Sequence, residues 1–402
     1  MLETRASRLA FAFAFALASA GAPALAVQVC ELNGQPVNPN NGYTTEGKTG
    51  LMRCRDGDGG PVVREQELQQ GKFMGIVRYF KDGVVEREHR VNERGNRDGL
   101  AREWGRAEAG GKNVLVREET YRDGRATGTT RTWYPNGQLR RVSSHGDDDR
   151  EQAVAEFTPQ GQLSDLRCAL RPVLGSDFDD KTACGHAGAA SNVTLYNAKG
   201  QPRARMAFER GERRKSEALW ESGTVRELQE TTAAGGVERS FAADGTKRRE
   251  VQWVTVAGER PRRVTTLDQE FHESGKLVHE RRWRTAERGA DLVSEASWYL
   301  NGQPKERTEL VTADGKTLRR ETRFHDNGKK AFEGAWRSEG GGGHNELATG
   351  THQSFDVEGR LRAERIYDER GRIKRERELD ERGTIVRDDE VFEDGSRKAV
   401  GR

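Results

Sequence analysis

One segment near the N-terminus matches a phosphate-binding pattern letter by letter. Residues 42–49 read Gly-Tyr-Thr-Thr-Glu-Gly-Lys-Thr, which satisfies Gly-x-x-x-x-Gly-Lys-Ser/Thr. That pattern binds phosphate only where a buried strand leads in and a helix follows, because backbone N–H groups and the helix terminus must converge on the anion. Here an Asn- and Pro-rich stretch leads in, and Gly50-Leu-Met-Arg-Cys follows. We therefore expect no nucleotide site and no cofactor.

Three acidic clusters could offer oxygen ligands to calcium, at residues 56–58, 147–149 and 177–180. None continues into the spaced loop with a closing Glu that a dedicated calcium site requires, so the sequence favours solvated turns. The eight histidines are scattered, without His-Glu-x-x-His, and no Gly-x-Ser-x-Gly elbow occurs. The prediction is a protein that is not an enzyme and has no metal site.

The four cysteines fall into two local pairs far apart in the chain. In an oxidising compartment nearest-neighbour pairing predicts the disulfides Cys30–Cys54 and Cys168–Cys184. The alternative is a zinc site built from Cys168, Cys184 and His186, which lacks a fourth ligand at finger-like spacing.

The first 26 residues have the three parts of a secretory signal peptide. Arg5 and Arg8 precede an apolar stretch, residues 9–18, and the small-residue sequence Ala24-Leu-Ala26 follows. Cleavage after Ala26 predicts a periplasmic or secreted protein. No later stretch approaches the ~20 apolar residues of a membrane span, so we expect no transmembrane segment after cleavage.

Composition argues for thinly distributed burial. Of the 402 residues 33% are apolar and 33% charged, and 47 are glycine. Removing residues 1–26 takes away two arginines and one glutamate, so the formal charge falls from +3 to +2. Near neutrality with interleaved signs argues against nucleic acid as the partner and predicts cross-strand ion pairs on solvated strands.

A short motif recurs along the chain: an aromatic or apolar residue, two or three polar residues, a glycine, and an apolar residue about two positions later. Asp-Gly and Asn-Gly, as at residues 123–124 and 136–137, predict hairpins with type I′ turns. Steps of 12 or 13 residues separate many motif glycines, so the period belongs to a supersecondary unit. The predicted turn glycines are Gly83, Gly124, Gly137, Gly200, Gly245, Gly275, Gly302, Gly328, Gly359, Gly371, Gly383 and Gly395.

Alternating apolar and charged residues between the turns predict strands. The predicted fold is all-β: an elongated, twisted, single-layer antiparallel β-meander of repeated hairpins, solenoid-like, forming one continuous ribbon with little helix. The predicted order is a signal peptide (1–26), a disulfide-clipped cap (27–60), repeats (61–163), a disulfide-held insertion (164–192), repeats (193–337), a Gly-rich interruption (338–348) and repeats (349–402).

The copies at residues 121–139 and 324–336 combine an aromatic, an Asn-Gly or Asp-Gly turn and a downstream Gly-x-Trp or Gly-Thr-x-x-x-Trp. This pattern resembles the variant MORN repeat of bacterial proteins, including an antitoxin-like group. The resemblance covers roughly residues 70–400, with gaps at 164–192 and 337–348, and implies a β-array with binding or scaffolding roles and no catalytic residues shared by the family. The 12-residue steps after Gly359 are similar instead to Tyr-Asp repeats of large secreted β-shell proteins.

These observations favour an exported, non-enzymatic binding or scaffold protein with an unidentified protein partner and possible contact with the membrane surface or envelope. The alternative, from the resemblance, is a toxin-neutralising immunity or antitoxin-like protein. A third hypothesis is an enzyme that uses the 164–192 insertion as its site.

Overall fold

The computed structural model describes residues 28–107, 111, 113–287, 289–313, 316–339 and 346–400. The predicted signal peptide lies outside these residues. Strands dominate, and the described part contains one helical turn, α1 (Asp180–Ala183), and two 3-10 turns, Gly42–Thr44 and Gly175–Asp177. The all-β prediction is confirmed. Within the described ranges, no helix has the length and apolar character needed to cross a membrane.

The chain divides into two compact units, Met1–Gly128 and Thr129–Arg402. Antiparallel pairing in the first unit follows the order β2-β1-β3-β4-β5-β6-β7-β8, with β9 paired to β8. The strands are β1 (Gln28–Leu32), β2 (Gln35–Val37), β3 (Gly50–Asp56), β4 (Val62–Gln69), β5 (Lys72–Lys81), β6 (Val84–Val91), β7 (Gly99–Gly105), β8 (Val114–Arg122) and β9 (Arg125–Ala126).

The second unit begins with neighbouring strands that follow the chain order. They are β10 (Gly128–Trp133), β11 (Leu139–His145), β12 (Glu151–Phe157) and β13 (Leu163–Arg167). A 17-stranded sheet follows, in which every strand from β14 to β30 pairs with its neighbour in sequence. Its first strands are β14 (Val193–Tyr196), β15 (Pro202–Glu209), β16 (Glu212–Leu219), β17 (Val225–Thr232), β18 (Gly235–Phe241), β19 (Lys247–Val256) and β20 (Arg262–Phe271).

The same sheet continues to the C-terminal end of the described chain. Its remaining strands are β21 (Leu277–Ala286), β22 (Gly289–Trp298), β23 (Pro304–Ala313), β24 (Lys316–Phe324), β25 (Lys330–Glu339), β26 (Glu346–Phe355), β27 (Leu361–Tyr367), β28 (Ile373–Leu379), β29 (Ile385–Val391) and β30 (Arg397–Ala399). The 12-residue steps after Gly359 therefore continue one sheet.

The prediction of one continuous ribbon is wrong, because β13 and β14 are not hydrogen-bonded neighbours and a second sheet begins at β14. The segment between them carries α1 and the second disulfide, Cys168–Cys184. Its side chains cover apolar residues of both sheets in one core that includes Val142, Leu174, Leu195 and Phe208. Residues 163–167, placed largely in the insertion by sequence, form β13 and pair with β12.

Two kinds of turn join the strands. In two-residue turns both central residues have positive φ, as type I′ requires: 49° and 86° at Asp123-Gly124. In the second kind only the bulge residue does, which is usually a glycine and is Asp149, with φ 62°, between β11 and β12. The amide of Tyr134 donates to the carbonyl of Gln138 (2.9 Å), and that of Gly137, with φ 85°, donates to the carbonyl of Tyr134 (2.8 Å). Asn136 and Gly137 thus belong to a three-residue loop with a glycine bulge, and the type I′ assignment of this turn is wrong.

All twelve predicted turn glycines have positive φ. Consecutive turns lie on opposite edges of a sheet because consecutive strands are antiparallel. Between Gly200 and Gly328 the glycine-bulge turns follow one edge only, at steps of 22 to 30 residues. From Gly359 onward they occur on both edges, at 12-residue steps. The short and the long steps therefore come from the same hairpin. Where the steps are long, the glycine-bulge turn is found on one edge of the sheet, and where they are short, it is found on both.

Side chains of the motif connect turns along one edge. The Tyr299 hydroxyl donates to the carbonyl of Phe324 (2.9 Å), and the Asn301 amide donates to that of Asp326 (2.5 Å), both at the next turn on that edge. Tyr134 and Asn136 bind Phe157 and Pro159 in the same way. The motif therefore specifies a ladder between turns, and the recurrence of Tyr and Asn in it has a hydrogen-bonding reason.

Candidate functional site

The phosphate-loop pattern does not form a phosphate cradle. Residues 42–44 make a 3-10 turn capped by Asn41, and β3 follows where a helix would be required. The amides of Thr44, Thr45 and Glu46 donate to carbonyls of residues 41 and 42. Because these N–H groups are engaged internally, they cannot converge on an anion.

The carboxylates at residues 177–180 serve structure. Asp177 pairs with Arg131 at 2.6 Å, and Asp179 accepts a hydrogen bond from the Thr182 amide. Asp180 is buried and accepts from two backbone amides. Across the described ranges no three His, Cys, Asp or Glu side chains are grouped to hold a metal ion. Cys30 is bonded to Cys54, and Cys168 to Cys184, so these thiols are not available as ligands.

A groove crosses β16–β19 on one face of the 17-stranded sheet, which we call the groove face. Its floor consists of two rows of directly opposed side chains. One row is Ser216, Gln229, Glu238 and Val251, and the other is Ala218, Glu227, Ser240 and Arg249. The volume is about 380 Å³. The small side chains of Ser216 and Ala218 on β16 and of Ser240 on β18 leave space between the longer side chains of the neighbouring strands.

Both ends of the groove are held. On the β15 side, Ala204 and Met206 pack into the core beneath the disulfide-held segment. On the β20 side, the guanidinium of Arg249 makes two hydrogen bonds to the Asp268 carboxylate, at 2.9 and 2.7 Å. The Glu238 carboxylate forms an ion pair with the Arg263 guanidinium, with Nη1 and Oε1 3.0 Å apart. The depression is therefore rigidly framed by a disulfide-stapled core and a bidentate ion pair.

Elsewhere on the sheet, charged side chains of neighbouring strands form ion pairs. On the opposite face of β19, Glu250 accepts hydrogen bonds from Arg239, Lys247 and Gln252. Near the C-terminal end, Glu376 is 5% exposed and accepts from Arg365 and Arg397. These ladders explain how a chain that is one-third charged forms a sheet with few buried apolar residues. The groove differs because its serine, alanine and glutamine side chains leave surface uncovered.

The groove is suited to binding. The residues that line it include neither His nor Cys. The hydroxyls of Ser216 and Ser240 and the Gln229 amide offer hydrogen bonds, and Ala218 and Val251 offer apolar contact. Sequence reasoning missed this site because cross-strand register decides which small residues adjoin. The spacing of Ser216, Gln229 and Ser240 carries no periodic signal.

A family model described as MORN repeat variant matches residues 126–145. The chain therefore contains a repeat of this type, at the Tyr134–Gly137 turn and its flanking strands β10 and β11. No curated protein sequence matches the chain.

Several solved structures resemble the chain weakly. A crystal structure of TcdB2-TccC3 is 11% identical with a TM-score of 0.18, and covers 86% of this chain and 18% of its own. That of TcdB2-TccC3-Cdc42 is 9% identical with a TM-score of 0.18, covering 90% and 24%. A porin-like protein from Bacteroides uniformis ATCC 8492 is 10% identical with a TM-score of 0.16, covering 52% and 87%. The chain thus spans less than a quarter of the first two.

Proposed function

We propose that this chain is an exported, non-enzymatic repeat protein that binds a protein partner through the groove face of its 17-stranded sheet. The groove at β16–β19 carries the proposal, because it is a framed depression of small and polar side chains on a sheet with many cross-strand ion pairs. Groups held in place before binding lose little entropy when a partner docks, which favours recognition at such a site.

Export is part of the proposal. The Cys30–Cys54 and Cys168–Cys184 disulfides support it, since structural disulfides persist in oxidising compartments. The signal-peptide pattern of residues 1–26 supports it as well. The presence of a MORN-type repeat is consistent with a scaffold role in the cell envelope.

Site-specific photo-crosslinking tests the proposal. The mature chain is produced with a photo-reactive amino acid in place of Gln229, on the groove face, or Glu230, the next residue of the same strand, which projects from the opposite face. In an envelope extract we expect a discrete protein adduct from position 229 and none from position 230. Equal labelling from the two positions, or none from 229, would contradict binding through this face. If the adduct is a toxin that the chain inhibits, the binding role is neutralisation.

A further inference from the structure

The first unit carries a second surface feature, in which two arginines enclose a tyrosine. Arg64 on β4, Tyr79 on β5 and Arg87 on β6 are direct cross-strand neighbours and share one face. The guanidinium carbons of Arg64 and Arg87 lie 5.8 and 4.8 Å from the centroid of the Tyr79 ring. Both guanidinium groups thus lie within cation–π distance of the same ring.

His89 and Arg97 extend this cationic cluster. The His89 ring lies 6.1 Å from Tyr79 and nearly parallel to it. Arg97 is 5.3 Å from the Tyr121 ring. Burial lowers the pKa of His89, and the positive charges of Arg97, Arg64 and Arg87 lower it further. The positive charges of these three guanidinium groups therefore all act on the His89 ring.

Two of these arginines lack a carboxylate partner. Arg64 donates from Nη2 to the Gln66 side chain, and its buried Nε has no hydrogen-bond partner. Arg97 donates to the Tyr121 hydroxyl. Within the part of the chain that the structure describes, neither forms an ion pair. The nearby Glu119 already accepts from Arg117 and Tyr121. A buried, unpaired guanidinium N–H is costly unless a ligand supplies the acceptor.

Two cavities meet at this cluster and share Tyr79 and His89. One, of about 390 Å³, is lined in part by the apolar side chains of Pro39, Phe73, Val77 and Val91. The other, of about 150 Å³, has four arginines and three carboxylates in its lining: Arg87, Arg97, Arg102, Arg117, Glu88, Glu103 and Glu119. A slot with an apolar part thus adjoins the cationic groups.

We infer that this surface, which we call the arginine site, binds an acidic segment of a polypeptide. A carboxylate of the segment accepts hydrogen bonds from Arg64 and the neighbouring arginines, and an adjacent apolar side chain occupies the slot beside Phe73 and Val77. A planar carboxylate matches the guanidinium fork. The slot favours a ligand that joins an acid to an apolar group over an isolated inorganic anion. The inference goes beyond the groove-face proposal, since every residue used lies in the first unit.

Fluorescence anisotropy with the mature chain tests it. The probes are a fluorescein-labelled peptide of alternating glutamate and leucine, and the same peptide with glutamine for glutamate. We expect the acidic peptide to bind at least about tenfold more tightly than the neutral one. Arg64→Gln and Arg87→Gln should each weaken binding about tenfold, while Arg106→Gln, at an exposed Asp82 pair, should change it less than about twofold.

Two further measurements keep the test independent of folding defects. Bound carboxylate should raise the pKa of His89, which NMR titration of the unsubstituted chain measures with and without peptide. Inorganic phosphate and acetate should both compete weakly. Equal affinity of the two peptides, an unchanged His89 titration, or displacement by phosphate far more readily than by acetate would overturn the inference.

Discussion

Glu250 gives the most direct test of the ion-pair ladders that replace a conventional core in the long sheet. The residue is 8% exposed. Burial alone would raise its pKa, but hydrogen bonds from Gln252, Lys247 and Arg239 outweigh burial and lower the pKa from 4.5 to about 2. The ionised form is thus stabilised by the fold.

The sign and size of the effect follow from that difference. Because the pKa is lower in the folded protein, Glu250 stabilises the fold above pH 4.5, and this stabilisation is lost as the pH falls towards 2. One pKa unit corresponds to about 1.4 kcal/mol, which sets an upper bound of about 3 kcal/mol on the contribution. Arg239 and Lys247 remain about one-third exposed, so we expect about 1–2 kcal/mol after solvent screening.

Hydrogen exchange of the β18 and β19 amides measures this contribution as a local free energy of opening. At about pH 7, Glu250→Gln should lower that free energy by about 1–2 kcal/mol, and at about pH 2 the difference from the unsubstituted protein should vanish. The control is Glu227→Gln, since Glu227 is exposed on the neighbouring β17 and should change little at either pH. A difference between Glu250→Gln and the unsubstituted chain that persists at low pH would refute the reasoning.

Three further predictions follow from the turns and the staple. Gly211→Ala should destabilise far more than Gly223→Ala in urea unfolding: both glycines have positive φ, but a Cβ at 211 would lie 2.0 Å from a backbone oxygen, whereas 223 is open. Tyr299→Phe should lower the free energy of unfolding by about 1 kcal/mol, because it removes one ladder hydrogen bond. Tyr196→Phe should lower it less, and thermal unfolding measures both. Replacing both cysteines of the second disulfide with serine should destabilise the core it covers by roughly 3 kcal/mol, measured by exchange in β14 and β15.

Much of the fold could be predicted because the turn chemistry is local. Asp123-Gly124 has the conformation that its dipeptide predicts, and the period of the glycines fixed the strand lengths. Asn136-Gly137 was mistaken for a two-residue turn, since the same dipeptide fits a glycine bulge when the preceding Tyr134 pairs with Gln138. The break between the two sheets before β14 was missed. Apolar residues on β13 and β14 pack in one shared core, and the sequence has no periodic pattern that indicates such a core.

The two proposed binding surfaces could not be predicted from the sequence, for a related reason. Arg64, Arg87 and Arg97 look like ordinary charged strand residues in sequence, and only register places the first two on either side of Tyr79. A shift of one residue would send either side chain to the other face. The same holds for Ser216 and Ser240 in the groove, whose neighbours are set by pairing across four strands.

Binding of the crosslinked partner to a groove-filling variant tests the central claim most directly. Ser240→Trp places a large side chain on the floor of the groove, and Glu230→Trp places the same side chain on the opposite face of the neighbouring strand. Calorimetric titration with the purified partner should show affinity reduced at least about tenfold by Ser240→Trp and nearly unchanged by Glu230→Trp. Equal affinities for Ser240→Trp and the unsubstituted chain would contradict a binding role for the groove face.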